Sequence, residues 1–243
     1  MLRILHQTLM VACCLGASLF LAWKAMEPVN YGYTFWYDQL QIAPHIRKFG
    51  AQNRQGKSGF ETTDRAQHEA LFEAIGRSVN NGGEGLRTLR YRADGAAADT
   101  VLLTDAEATH LEDVANLIDL MVPVGWVALG GLALLLVPAL FAGFAVPGLR
   151  TSVLTLAAVA LVVAVIILAL GPHEVFKALH EAVFPDDNQW FFYYQDSLMT
   201  TLMKAPDIFF AIGAVWALLA ALIFLLLTTA LRLASRYFPA KAN

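Results

Sequence analysis

The sequence contains few charged residues. Only 15% of its 243 residues are charged and 57% are hydrophobic, whereas about a quarter of an ordinary soluble domain is charged. This shortage excludes an ordinary water-soluble domain and favours a chain that folds in a lipid bilayer. The formal net charge is −3, and basic residues never occur more than two in a row. A basic surface that neutralises a nucleic-acid backbone is therefore not expected, and nucleic acid is excluded as a partner.

Cysteine is also scarce. The chain has two, Cys13 and Cys14, adjacent in an apolar run. Adjacent cysteines provide neither a disulfide framework nor the ligand spacing of a zinc site. We interpret both as small hydrophobic residues, and their apolar surroundings disfavour the reactive thiolate that an acyl-cysteine intermediate requires.

Long apolar runs, in contrast, are plentiful. Four stretches lack Asp, Glu, Lys and Arg and reach the length of about 20 residues that crosses a bilayer as a helix: Ile4–Trp23, Leu120–Leu149, Thr151–Pro172 and Ile208–Leu231. The first is interpreted as an uncleaved helix rather than a signal peptide, because its apolar run continues to Trp23. The sequence predicts an all-α membrane protein with four transmembrane helices and a mainly helical extracytoplasmic domain.

These runs divide the chain into six segments. Transmembrane helices are predicted over 1–26, 120–149, 150–172 and 207–243, the last with a cytoplasmic tail, and polar segments over 27–119 and 173–206. Basic residues in short segments set the orientation. On one side lie Arg3, Arg150, Arg232, Arg236 and Lys241, against Lys177 and Lys204 on the other. Both termini are therefore expected in the cytoplasm, and both polar segments outside it.

The end of the larger polar segment carries a histidine between carboxylates. Thr104-Asp105-Ala106-Glu107 has the pattern of a helix capping box, so a helix is predicted to begin near Asp105. His110 follows Glu107 by three residues and precedes Asp113 by three. On a helix, both carboxylates are then expected to approach the imidazole from adjacent turns.

The second polar segment carries two more histidines. His173 and His180 are seven residues apart, so they share a face if the segment is helical. A turn is predicted at Pro185–Asn188, and aromatic residues from Trp190 onward are typical of a chain at the membrane interface. Zinc binding by His110, His173 and His180 with a carboxylate is chemically conceivable, but no histidine pair has the helical i, i+4 spacing. We therefore expect neither a metal nor a cofactor.

Two short motifs resemble those of the bacterial lipoprotein intramolecular transacylase family. The first is His110-Leu111-Glu112-Asp113-Val114, and the second is Leu179-His180-Glu181-Ala182-Val183-Phe184 followed by Trp190. The family pattern is H-[ML]-x-D-V before the second span and F-H-x-x-F-F with a later Trp after the third. Ala115 stands where the family often has Lys, and Leu179 and Val183 replace aromatic residues.

The resemblance implies an enzyme that moves an acyl chain from the glycerol of a diacylglyceryl-modified cysteine to the amino group of the same cysteine. It implies His110 and His180 as the catalytic pair, with Asp113, Phe184 and Trp190 in support, to which the reasoning above adds Glu107 and His173. Which histidine is the base stays open. The expected partners are diacylglyceryl-modified lipoproteins and membrane lipid, and the expected location is the bacterial cytoplasmic membrane, as a monomer with an extracytoplasmic site.

Other functions remain alternatives at this point. A covalent mechanism with a serine nucleophile could use Ser197, although no G-x-S-x-G turn occurs in the sequence. A non-enzymatic envelope binding or assembly protein would leave the histidines incidental, and a metal or redox protein would use them as ligands. A transporter is disfavoured, since the four spans contain no ionisable side chain of the kind that pumps place at mid-membrane.

Overall fold

A computed structural model describes residues 1–184 and 187–237. Its α-helices, in chain order, are α1 (Leu2–Met26), α2 (Tyr33–Gln39), α3 (Ile42–Gly50), α4 (Arg65–Val79), α5 (Asp105–Phe141), α6 (Leu149–Leu170), α7 (Pro172–Val183), α8 (Leu198–Met203) and α9 (Asp207–Tyr237). Short 3₁₀ segments cover Glu27–Gly32, which is kinked, and Phe60–Thr62, Leu86–Thr88 and Tyr194–Asp196. Two strands, β1 (Arg90–Tyr91) and β2 (Thr100–Val101), pair antiparallel. Two predictions fall partly outside the described residues: Pro185 and Asp186 of the predicted turn, and Lys241.

Within the described residues, four helices are long and apolar enough to cross a membrane. They are α1, α5, α6 and α9, which confirms the predicted all-α protein with four transmembrane helices. Helix α5 has 37 residues, or about 55 Å at 1.5 Å per residue, and so exceeds a bilayer core of about 30 Å. All its charged residues precede Leu120. The part of α5 that is free of charged residues therefore begins at Leu120, ten residues after His110.

The second span is shorter than predicted. Helix α5 ends at Phe141, not at Leu149, and residues 142–148 are not helical. Gly143 has a left-handed φ of +67°, which glycine adopts without steric cost. Pro147 lacks an amide hydrogen that could continue the helix. A loop therefore separates α5 from α6.

The chain divides into two compact units. The membrane unit comprises Met1–Ala25, Met121–Ala178 and the chain from Val215. Its buried core contains Met10, Cys14, Leu132, Ala139, Phe224 and Leu231. A Cβ built at Gly125 of α5 would overlap the ring of Phe20 of α1 and lie 2.7 Å from the Phe20 Cβ. Close packing of α1 on α5 thus requires a glycine at this position.

The polar unit comprises Met26–Leu120 and Leu179–Ala214. Its largest fully buried side chains include Tyr33, Phe60, Tyr91, Leu198 and Leu202. Helix α4 begins after Asp64, whose Oδ1 accepts a hydrogen bond from the Gln67 amide at 2.8 Å, the bond that an aspartate makes when it caps a helix. The unit therefore contains a capped helix and a hydrophobic core of its own.

Candidate active site

A capping box positions the first histidine. The Thr104 amide donates to Glu107 Oε2 at 2.6 Å, and the Glu107 amide donates to Thr104 Oγ1 at 3.2 Å. These bonds satisfy amides that would otherwise lack partners at the start of a helix. The predicted capping box is thus confirmed, and it places His110 in the second turn of α5.

The structure brings His110 and His180 together within the polar unit. Their ring centroids are 6.2 Å apart, with an interplanar angle of 29°. Each belongs to a different helix, since His110 is on α5 and His180 is on α7. The segment around His180 is helical, which the sequence had left open. Two residues separated by seventy positions in the sequence therefore face each other in space.

Aromatic rings surround this pair. The ring of Phe184 lies 5.0 Å from His110 and 5.3 Å from His180, measured between centroids. Trp190 lies 5.0 Å from His180, and Phe192 lies 6.0 Å from His110. Phe184 and Trp190 are residues that the sequence motifs implied. Apolar rings of this kind lower the local dielectric constant, which strengthens electrostatic interactions beside them.

His110 is deeply buried. Its side chain is 8% exposed, and its Nδ1 has no hydrogen-bond partner among the described residues. Burial, together with the neighbouring His180, lowers the pKa of His110 to about 4, and the charge of Asp113 opposes this shift. His110 is therefore a neutral imidazole at pH 7, which can donate one hydrogen bond and accept another.

The two predicted carboxylates bind the facing segment rather than the imidazole. Glu107 Oε1 accepts hydrogen bonds from Ser197 Oγ at 2.6 Å and from the Met199 amide at 3.0 Å. Asp113 Oδ2 accepts a hydrogen bond from Asn188 Nδ2 at 2.7 Å. Glu107 and Asp113 lie on turns of α5 that neighbour His110, and the hydrogen bonds above join both carboxylates to donors among residues 188–199. Asp113 still acts on His110 through its charge.

The remaining histidines occupy other places. His173 lies in the first turn of α7, with an exposed side chain, and its supporting role stays a prediction. His68 of α4 is 3% exposed, and its ring nitrogens contact Tyr37 Oη at 2.8 Å and Thr63 Oγ1 at 2.6 Å. Both nitrogens of His68 are satisfied, which is typical of a structural histidine.

Sequence reasoning missed Asn188 and Phe192 and ranked Ser197 low. Ser197 is fully buried and caps α8 by accepting from the Thr200 amide at 2.9 Å. Its signal is the Ser-x-x-Thr pattern at the start of a short helix. Asn188 carries no such local pattern, since its partner Asp113 is 75 residues away. The described residues contain no group of three or more His, Cys, Asp or Glu side chains arranged to hold a metal ion.

The fold and the site define a multi-pass helical membrane enzyme with a paired-histidine site. The family model of the lipoprotein intramolecular transacylase Lit matches residues 86–210, more than half of the chain. The chain therefore belongs to this acyltransferase family, as the sequence motifs implied. No curated protein sequence matches it.

The fold is also similar to solved structures of the membrane-integral lipoprotein intramolecular transacylase Lit from Bacillus cereus. A form with a histidine-to-arginine mutation has a TM-score of 0.66 and 17% identity, over 97% of this chain and 93% of that chain. A histidine-to-alanine form has a TM-score of 0.63 and 17% identity, over 98% and 93%. A third structure has a TM-score of 0.63 and 16% identity, over 97% of each chain. At this identity the likeness shows the fold.

Proposed function

We propose that the enzyme transfers one acyl chain within a single lipoprotein. The α-amino nitrogen of a diacylglyceryl-modified cysteine attacks an ester carbonyl on its own glyceryl group. A nitrogen–carbon bond forms, the carbon–oxygen bond to glycerol breaks, and the proton lost by the amine ends on the glycerol oxygen. The product is an N-acylated lipoprotein with one free hydroxyl on its glyceryl group, and no other reactant is consumed.

The observation that carries this proposal is the pair of imidazoles inside aromatic walls. The amine attacks only when neutral, and the glycerol oxygen departs only when it regains a proton. Both needs are met near neutral pH by histidine, whose unperturbed pKa lies in that range. Family membership supports an enzyme over the non-enzymatic envelope protein.

The environments of the two rings support different roles. His180 is half-buried, and we assign it the base that accepts the amine proton and returns it to the leaving oxygen. His110 has a pKa of about 4 and is a poor base at pH 7. As a neutral imidazole it can donate a hydrogen bond to the oxyanion that develops on the ester carbonyl, where a donor in place before the reaction is most effective.

Proximity contributes to the rate as well. Amine and ester belong to one molecule, so the site has only to hold the lipid head in a conformation suited to attack. Correct orientation of reacting groups lowers barriers by about 7–11 kcal/mol in favourable intramolecular systems. The rings of Phe184 and Trp190 beside His180 offer apolar surface that can restrict such a lipid head.

We also propose an orientation of the chain in the membrane. Arg3, Arg150, Arg232 and Arg236 support cytoplasmic termini in a bacterial cytoplasmic membrane. The polar unit with His110 and His180 would then face the outside, where lipoproteins are anchored, and the enzyme would act as a monomer. Single cysteines introduced at the exposed residues Gln55 and Arg236 test this, since an impermeant thiol reagent applied to whole cells should label the first and not the second.

The decisive experiment is mass spectrometry of a diacylglyceryl lipopeptide incubated with the purified protein. We expect an unchanged total mass, with one acyl chain moved from glycerol to the amino terminus. His180→Ala should abolish most of this shift. A variant with Cys13→Ala and Cys14→Ala serves as the control and should convert the peptide normally, because neither thiol takes part. Absence of the shift with folded wild-type protein would refute the proposal.

A further inference from the structure

Glu107 is a buried carboxylate with three hydrogen-bond donors around it. Its side chain is 0% exposed. Oε2 accepts from the Thr104 amide, and Oε1 accepts from Ser197 Oγ and the Met199 amide. A buried carboxylate is costly unless its oxygens are satisfied by such donors. Glu107 therefore fixes the distance between the start of α5 and the start of α8.

Ser197 is the partner that completes this connection. It is also 0% exposed. Its Oγ donates to Glu107 Oε1 at 2.6 Å, contacts Thr200 Oγ1 at 2.7 Å, and accepts from the Thr200 amide at 2.9 Å. The Ser197 hydroxyl thus caps α8 and also forms a hydrogen bond to Glu107 of α5. The serine has a complete set of partners, which favours a structural task over nucleophilic attack.

The hydrogen bond between Glu107 and Ser197 lies one turn of α5 away from His110. Glu107, His110 and Asp113 are spaced by three residues on α5 and so lie on neighbouring turns. Asp113 binds Asn188, and Glu107 binds Ser197 and Met199. Residues 188–199 consequently run opposite to α5, attached on both sides of His110. The ring of Phe192, between the two attachments, faces His110 at 6.0 Å.

We propose that Glu107 and Ser197 are positioning residues that hold residues 188–199 over His110. They act through His110 and its aromatic wall rather than on the substrate, and their effect on catalysis rests on the function proposed above. Loss of the connection would let this segment move away from His110. A displacement of about 1 Å in a catalytic group can lower a rate by about 10²-fold.

Kinetics provide the first test. Glu107→Ala and Ser197→Ala should each lower kcat on the lipopeptide by about 10- to 100-fold with a smaller change in KM. Glu107→Gln keeps one acceptor oxygen for Ser197 and Met199 and should retain most of kcat. Tyr33→Phe is the matched control: Tyr33 Oη donates to Leu202 O in α8 at 2.8 Å, so this variant loses a buried bond to the same helix but not to α5. Its kcat should stay near the wild-type value.

Labelling with diethylpyrocarbonate provides a test that needs no activity. This reagent modifies neutral imidazoles, and peptide mapping measures the rate at His110 separately from the rate at buried His68. We expect Glu107→Ala and Ser197→Ala to raise labelling of His110 by about tenfold, as a local opening would, with His68 unchanged. A parallel rise at both histidines would mean general loosening and would overturn the proposal, as would unchanged labelling with unchanged kcat. Inactive wild-type protein would refute the proposed function while leaving this comparison valid.

Discussion

The imidazole of His110 faces that of His180 with 6.2 Å between the ring centroids, yet the two rings differ in exposure. His110 is buried, whereas His180 is half-buried at the edge of α7. Burial disfavours the charged form of an imidazole and lowers the pKa of His110 to about 4. The difference in exposure is the basis for assigning the two histidines unequal tasks.

Chemical rescue should separate the two histidines. His110→Ala and His180→Ala should each lower kcat by about 10² to 10⁴-fold, the usual contribution of acid–base assistance. Added imidazole should restore part of the activity of His180→Ala, because its site is partly open, but little of that of His110→Ala. Lipopeptide conversion with and without imidazole measures this. Equal rescue of both variants would contradict the unequal roles.

Acidification should destabilise the protein through its buried histidines. Burial lowers the pKa of His68 to about 4 from 6.5, against a small opposing effect of Asp64. Between pH 4 and pH 6.5 the unfolded chain therefore binds more protons than the folded one. The contribution of neutral His68 to the free energy of unfolding is complete above pH 6.5 and is lost as the pH falls towards 4. We expect a loss of about 2 kcal/mol from His68 between pH 7 and pH 5.

The thermal unfolding midpoint, measured at pH 7 and pH 5, checks this expectation. His68→Gln should be less stable at pH 7 and should lose less on acidification. His45 and His110 also have pKa values of about 4, so part of the pH dependence should remain. An identical pH dependence in the variant and the wild type would argue against a neutral His68.

The spans and the helix starts follow from local sequence. Apolar length predicted the four membrane helices, and Thr104 and Glu107 predicted the start of α5, because both signals act over a few neighbouring residues. The end of α5 was misplaced because apolar composition does not distinguish a helix from the loop at Gly143. The family motifs implied His110 and His180 as one site, and the structure confirms that they meet.

The hydrogen bonds of the site could not be predicted from the sequence. Helical spacing correctly placed Glu107 and Asp113 on turns that neighbour His110. It could not show that Glu107 would accept a hydrogen bond from Ser197, 90 residues further along the chain. Nor could it show that Asp113 would accept one from Asn188, 75 residues further along. Long-range polar pairs leave no periodic signal, and a hydroxyl near a carboxylate competes well with an imidazole for the same oxygen.

The packing of α1 on α5 should depend on Gly125. A side chain at this position meets Phe20, and overpacking in a close helix contact costs about 1–3 kcal/mol. Gly125→Ala should therefore lower the thermal midpoint in detergent. Gly130→Ala is the matched control on the same helix, since a Cβ there has nothing within 4 Å.

A second substitution makes this prediction sharper. Phe20→Ala removes the ring that Gly125→Ala would meet, so the double variant should be more stable than the sum of the two single effects implies. Coupling of this kind is expected only between residues in contact. Additive effects would mean that the two helices separate without strain at this point.

Asp113 should contribute to catalysis through its charge. Asp113→Asn removes the charge that raises the pKa of His110, so that pKa should fall further below about 4. It also replaces a charge-assisted hydrogen bond to Asn188 with a weaker neutral one, a difference of about 1 kcal/mol. Lipopeptide kinetics should show a loss in kcat of about five- to tenfold. Asp119→Asn removes an exposed carboxylate from the same helix and should change kcat less than about twofold. Equal losses in the two variants would mean that only the total charge near the membrane surface matters, and not the position of Asp113 beside His110.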